Sequence, residues 1–80
     1  MKKDLSKIYD EVLMKSFEVS KNKLDKLEYE SVPQWDSVGH MAMIASLEEA
    51  FDIVFEMDDI IDFSSYKTGK EILKKYKVKI

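Results

Sequence analysis

Cysteine is absent from the chain, so no disulfide framework supports the fold and nothing in the composition marks an oxidising compartment. No apolar run reaches the roughly 18 residues that a membrane span needs. The opening Met1-Lys2-Lys3-Asp4 leads into no signal-type apolar core. These absences predict a soluble cytoplasmic protein without a membrane partner. Internal repeats and low-complexity segments are missing too. Basic residues are missing from one whole stretch. Between Asp36 and Asp62 stand eight acids (Asp36, Glu48, Glu49, Asp52, Glu56, Asp58, Asp59 and Asp62) and no lysine or arginine. Before it, seven lysines balance seven acids; after it, six lysines face only Glu71. An anionic middle disfavours nucleic acid and favours basic protein partners, unless those acids merely solvate a helix face.

What is present makes one small domain over residues 1–80, with 45% hydrophobic residues and a net charge of −3. So short a chain has little room for an active-site cleft beside its own core, which weighs against an enzyme. Leu5, Ile8, Val12 and Phe17 recur at helical spacing, with Tyr9 and Leu13 beside them, and predict a helix from about Asp4 to Phe17. Residues 18–35 are polar, with isolated Leu24, Leu27, Tyr29 and Val32, and Pro33 biases Val32 away from helix. They read as a long loop with one short turn around Lys23 to Leu27; such loops are functional or pinned by their apolar residues. Asp36 is placed to cap a second helix running to about Phe51. A short helix is predicted around Met57 to Ile61. A last helix, capped by Ser64 or Ser65 and running through Tyr76, buries Tyr66, Ile72, Leu73 and Tyr76 and gathers lysines at its negative end. Ile53-Val54-Phe55 has no second strand to pair with. The fold class predicted is all-α, a four-helix bundle of three longer helices and one short third helix.

The second helix is apolar on two sides. Met43, Leu47, Ala50 and Phe51 make a core face, while Val38, Met41 and Ala45 fall opposite and run into Glu48 and Glu49. Such a stripe is either half-buried against the long loop or offered to a partner.

The run Trp35-Asp36-Ser37-Val38-Gly39-His40 holds an acid, a hydroxyl and the chain's one histidine. A triad needs a base in reach of the serine and a carboxylate behind that base. With Asp36 at the cap, it is poorly placed to orient an imidazole one turn on, and His40 reads as a side chain that packs or hydrogen-bonds locally. Metal binding is disfavoured as well, since neither calcium-loop spacing nor a His/Cys cluster occurs. A serine at the first position of a helix remains. Free N–H groups and the positive end of the helix dipole converge there and favour a phosphate group. A polar helix start is the plain alternative.

From Trp35 to Ile60 the chain resembles acyl carrier proteins. Asp36-Ser37-Val38 matches the Asp-Ser-Leu that opens that family's second helix, with valine for leucine, and Leu47, Glu48, Glu49, Phe51 and Ile53 match the run that closes it. Asp58, Asp59, the short third helix and a last helix after Ser64-Ser65 agree with the same pattern. The resemblance implies that Ser37 carries phosphopantetheine, attached from coenzyme A by a phosphopantetheinyl transferase. It implies an acyl group held as a thioester on the arm, a monomer, and no catalysis by the chain itself. The implied partners are that transferase, an acyl-loading ligase or transferase, and synthase or acyltransferase enzymes with basic docking patches. Val38, Met41, Ala45, Glu48, Glu49, Asp58 and Asp59 would form the recognition face. Met43, Leu47, Phe51, Ile60, Phe63, Ile72 and Tyr76 would line the interior.

Two positions depart from carriers of general fatty acid synthesis, which have acids two and five residues after the serine. Here they are Gly39 and Ala42, and Gly39 also weakens the first helical turn by roughly 1 kcal/mol against alanine. The departure points to a specialised carrier of fatty acid, polyketide or related biosynthesis. A cofactor-free helical interaction module using the same acidic face is the alternative.

Overall fold

Asp4 accepts a hydrogen bond from the Lys7 N–H at 3.2 Å and so caps α1, Leu5–Phe17. The coordinates are a computed structural model, and the residues it describes are 4–78 and 80. Helix α1 ends at Glu18, whose left-handed φ of 54° returns its N–H to the Met14 carbonyl. Its buried stripe is Tyr9, Leu13 and Phe17, one turn apart each time. Leu5, Ile8 and Val12, which the sequence placed at its centre, are half-buried at its edge.

The loop after α1 is pinned rather than free. It contains a 3-10 helix, Lys21–Lys26, which starts two residues before the predicted turn, and it buries Leu24, Leu27 and Trp35. The Trp35 ring lies flat on Phe17, with centroids 4.4 Å apart and planes 7° from parallel. Two backbone bonds stitch the loop to the start of the last helix. The Tyr29 N–H donates to the Ser64 carbonyl at 2.8 Å, and the Tyr66 N–H to the Leu27 carbonyl at 3.0 Å. They form one isolated antiparallel bridge between Glu28 and Ser65, and no strand occurs among the described residues.

Helices α2 (Ser37–Phe51), α3 (Met57–Asp62) and α4 (Tyr66–Lys75) complete an all-α architecture. Asp36 caps α2 through the Gly39 N–H at 2.8 Å, and Ser65 caps α4 through the Thr68 N–H at 3.0 Å. Helix α2 buries Met43, Ile44 and Leu47. Ile44 belongs to the core, although it lies outside the core face expected from the sequence. Ala50 is exposed and Phe51 half-buried, at the last two positions before α2 ends at the left-handed Asp52. Ile53, Val54 and Phe55 are irregular, as the lack of a partner strand predicts. Of the seven interior candidates, Met43, Leu47, Phe63 and Ile72 are buried, whereas Phe51, Ile60 and Tyr76 are half-buried or at the surface edge. A Cβ at Gly69 would stand 2.3 Å from both Tyr9 Oη and Phe63 Cζ, so only glycine lets α4 approach α1 this closely.

Among the described residues, no helix is long and apolar enough to cross a membrane.

Candidate functional site

Trp35 and Asp36 together fix where Ser37 stands. Burial of the indole against Phe17 anchors the end of the loop, and the Asp36 carboxylate then closes the helix start one residue later. Ser37 is the first residue of α2 and is exposed. The N–H groups of a helix's first turn lack intrahelical acceptors, and Asp36 takes one of them. The rest leave Ser37 in an electropositive backbone environment.

An apolar recess of about 350 Å³ opens beside Ser37, between α2 and α3. Ser37, His40 and Met41 line it from α2, Met57, Ile60 and Ile61 from α3, and Tyr29 and Ser64 complete the lining. Of its lining residues Met57 is 70% exposed, Ile61 69% and Met41 52%, and Val38, next to Ser37 in the chain, is 77% exposed. The α2 stripe of Val38, Met41 and Ala45 is therefore open to solvent, not covered by the loop. A second recess of about 500 Å³ shares no lining residue with the first and carries Lys23 and Lys26.

His40 does not serve Ser37 as a base. Its Nδ1 accepts the Trp35 indole N–H at 3.0 Å, and its Nε2 lies 2.7 Å from the Ile60 carbonyl oxygen. Both ring nitrogens are occupied by other partners. No group of three or more metal-binding side chains occurs among the described residues.

The predicted recognition face divides. Val38, Met41, Ala45, Glu49 and Asp58 are exposed. Glu48 is half-buried, and its Oε2 accepts the Phe55 N–H at 2.9 Å, so it holds the α2–α3 connection. Asp59 is not on that surface: it is buried, and it accepts hydrogen bonds from Lys75 Nζ at 2.6 Å and from the Tyr76 hydroxyl. The bond from Lys75, then that from Tyr76, holds the Asp59 carboxyl below the usual carboxylate range. In return Asp59 pushes the Lys75 ammonium upward, and the Tyr76 phenol is raised by desolvation first and by Asp59 second. An acid in an acidic run looks like surface charge in sequence. Only the return of α4, with Lys75 next to Tyr76, turns it inward.

Sequence reasoning also missed Met57, Ile61 and Tyr29 as neighbours of Ser37. The signal available was the pair Met57 and Ile61, four apart in a helix otherwise rich in acids.

No protein-family model matches the chain, and no curated protein matches it.

Proposed function

We propose that the protein is an acyl carrier of specialised biosynthesis, loaded with phosphopantetheine on Ser37. The observation that carries the reading is the placement of Ser37: an exposed hydroxyl on the capped first turn of a helix, at the mouth of an apolar recess. These residues fit the group. The first-turn N–H groups and the helix dipole favour the phosphodiester, and the recess offers apolar walls to the arm and its cargo. The order of helices, with a long loop after the first and a short third helix, agrees with the bundle expected of that family.

The bound arm supplies a terminal thiol, which a chain without cysteine lacks, and with it the thioester link to an acyl group. The chain's own part is to present and to dock. Asp36 holds the helix start, Ser37 supplies the hydroxyl, and Val38, Met41, Met57 and Ile61 offer apolar contacts that Glu49 and Asp58 rim with negative charge. Such a face suits enzymes with basic, methyl-lined docking patches: the transferase that attaches the arm, a loading ligase or transferase, and a synthase or acyltransferase. Tethering raises the local concentration of the acyl group at each of their sites.

The test is intact mass after coexpression with a broad-specificity phosphopantetheinyl transferase. Wild type is expected to gain the mass of the arm, and Ser37→Ala to gain none. Alanine is at least as good inside a helix as serine, and Asp36 keeps the cap, so stability should change by less than about 1 kcal/mol. No gain in wild type would overturn the carrier reading in favour of the cofactor-free interaction module. A gain that survives in Ser37→Ala would move the site to another serine.

A further inference from the structure

Helix α3 is the least embedded of the four α-helices. It has six residues, Asp59 is its one buried residue, and Met57 and Ile61 stand mostly in solvent. Apolar burial does little to hold such an element, so its polar ties carry much of the attachment. On the α4 side that tie is Asp59 with Lys75 and Tyr76. On the α2 side it is His40 with the Ile60 carbonyl.

Donor chemistry fixes the state of the imidazole. An indole N–H only donates, so Nδ1 of His40 must accept from Trp35. The ring hydrogen then sits on Nε2, opposite a carbonyl oxygen that only accepts. The ring is also confined by its neighbours, with Tyr29 at 5.8 Å and Trp35 and Phe63 each at 6.2 Å between centroids. His40 thus forms a strut from a fully buried tryptophan to the backbone of α3. Both His40 and Ile60 line the recess beside Ser37.

We propose that His40 is a positioning residue, a latch that sets the α3 wall of the recess by tying the Ile60 carbonyl to the Trp35 anchor. The latch itself does not depend on the carrier reading. If Ser37 carries an arm, the same latch governs how wide a group the recess admits, because Ile60 can move outward only when the Nε2 bond opens. Loss of the latch should loosen α3 while leaving α1 packed on α2, since the α1 stripe makes no use of the imidazole nitrogens.

Amide hydrogen exchange on the full chain tests this. The Ile60 and Phe63 amides are hydrogen-bonded within α3 and its cap, to Glu56 and Asp59, and report its opening. His40→Phe keeps a ring in the aromatic cage and removes both bonds. It should speed exchange at Ile60 and Phe63 about tenfold relative to the amides of α1, the scale of one lost hydrogen bond. His40→Gln, which can still present an N–H near the place of Nε2, should restore most of the protection. Equal acceleration in α1 and α3, or none at α3, would overturn the latch. The wild-type protein gives a second readout that needs no variant. A long-range proton–nitrogen spectrum at pH 8 should show the Nε2–H tautomer, and a Nδ1–H or averaged tautomer would overturn it. Neither readout involves arm attachment, so failure of the latch and failure of the carrier reading are separable.

Discussion

At position 39 two physical terms oppose each other, and their sizes decide the outcome. A glycine inside a helix costs roughly 1 kcal/mol against alanine, so Gly39→Ala taken in isolation should stabilise α2. The Cβ of that alanine, however, would lie 2.0 Å from the backbone oxygen of Gln34 and 3.2 Å from its carbon. No rotamer change relieves a clash with backbone. Gln34 is held between Pro33 and the buried Trp35, and its side chain donates to Glu18 at 3.0 Å. The loop would have to shift, and overpacking of this kind costs typically about 1–3 kcal/mol. Gly39→Ala is therefore expected to lower stability in urea unfolding, against the direction of helix propensity; a gain would show that the loop yields freely. The absence of an acid at this position, legible in the sequence only as a departure from carriers of general fatty acid synthesis, has a local cause in the path of the loop.

Elements whose ends are marked by side-chain caps were legible in the sequence to within a residue or two. Asp36 occupies the N-cap expected of it, Ser65 is the one of the two candidate serines that caps the last helix, and Asp4, the expected start of the first helix, is its cap. The short third helix, Met57–Asp62, matches the expected Met57 to Ile61 without a side-chain cap. What escaped the sequence was set by long-range packing. The buried stripe of α1 is rotated toward Tyr9 because that hydroxyl reaches the Tyr66 carbonyl at 2.6 Å, a partner 57 residues away. Glu48 and Glu49 are adjacent and alike in sequence, yet only Glu49 is exposed; Glu48 is committed to the Phe55 N–H. Charge reversal should separate them. Glu49→Lys should change stability by under about 0.5 kcal/mol. Glu48→Lys removes the acceptor from a part-buried N–H and should cost about 1–3 kcal/mol. If Ser37 is loaded by a transferase that reads the acidic face, Glu49→Lys should also slow loading and weaken its dependence on salt. Chemical unfolding of both variants checks the first contrast, and equal losses would put the two glutamates in the same environment. Loading rates across a salt series check the second.

Across the whole molecule, charge is segregated along the chain and then brought back together by the fold. The acid-rich stretch ends in α3 and the lysine-rich stretch forms α4, and the two meet where Asp59 receives Lys75 and Tyr76. The Tyr76 hydroxyl also accepts the Glu56 N–H at 2.8 Å, so one side chain joins the start of α3, its buried acid and the end of α4. This junction gives the protein an acid-sensitive joint. Because Lys75 and Tyr76 hold the folded Asp59 carboxyl below its ordinary value of 3.8, the unfolded chain takes up a proton there first as pH falls. The stabilising contribution is therefore complete at neutral pH. It begins to fall near the ordinary carboxylate range and is lost as pH drops through the lowered folded value. Asp59→Asn cannot ionise and cannot pair with Lys75 as an anion. Wild type should then be the more stable protein at pH 7, with the two stability curves converging below about pH 4 as Asp59 protonates. Tm measured from about pH 7 to pH 2 on both proteins checks this. Curves that stay parallel through the acid range would mean that the carboxylate contributes nothing as a charge, and that the joint is held by the Tyr76 bonds and packing alone.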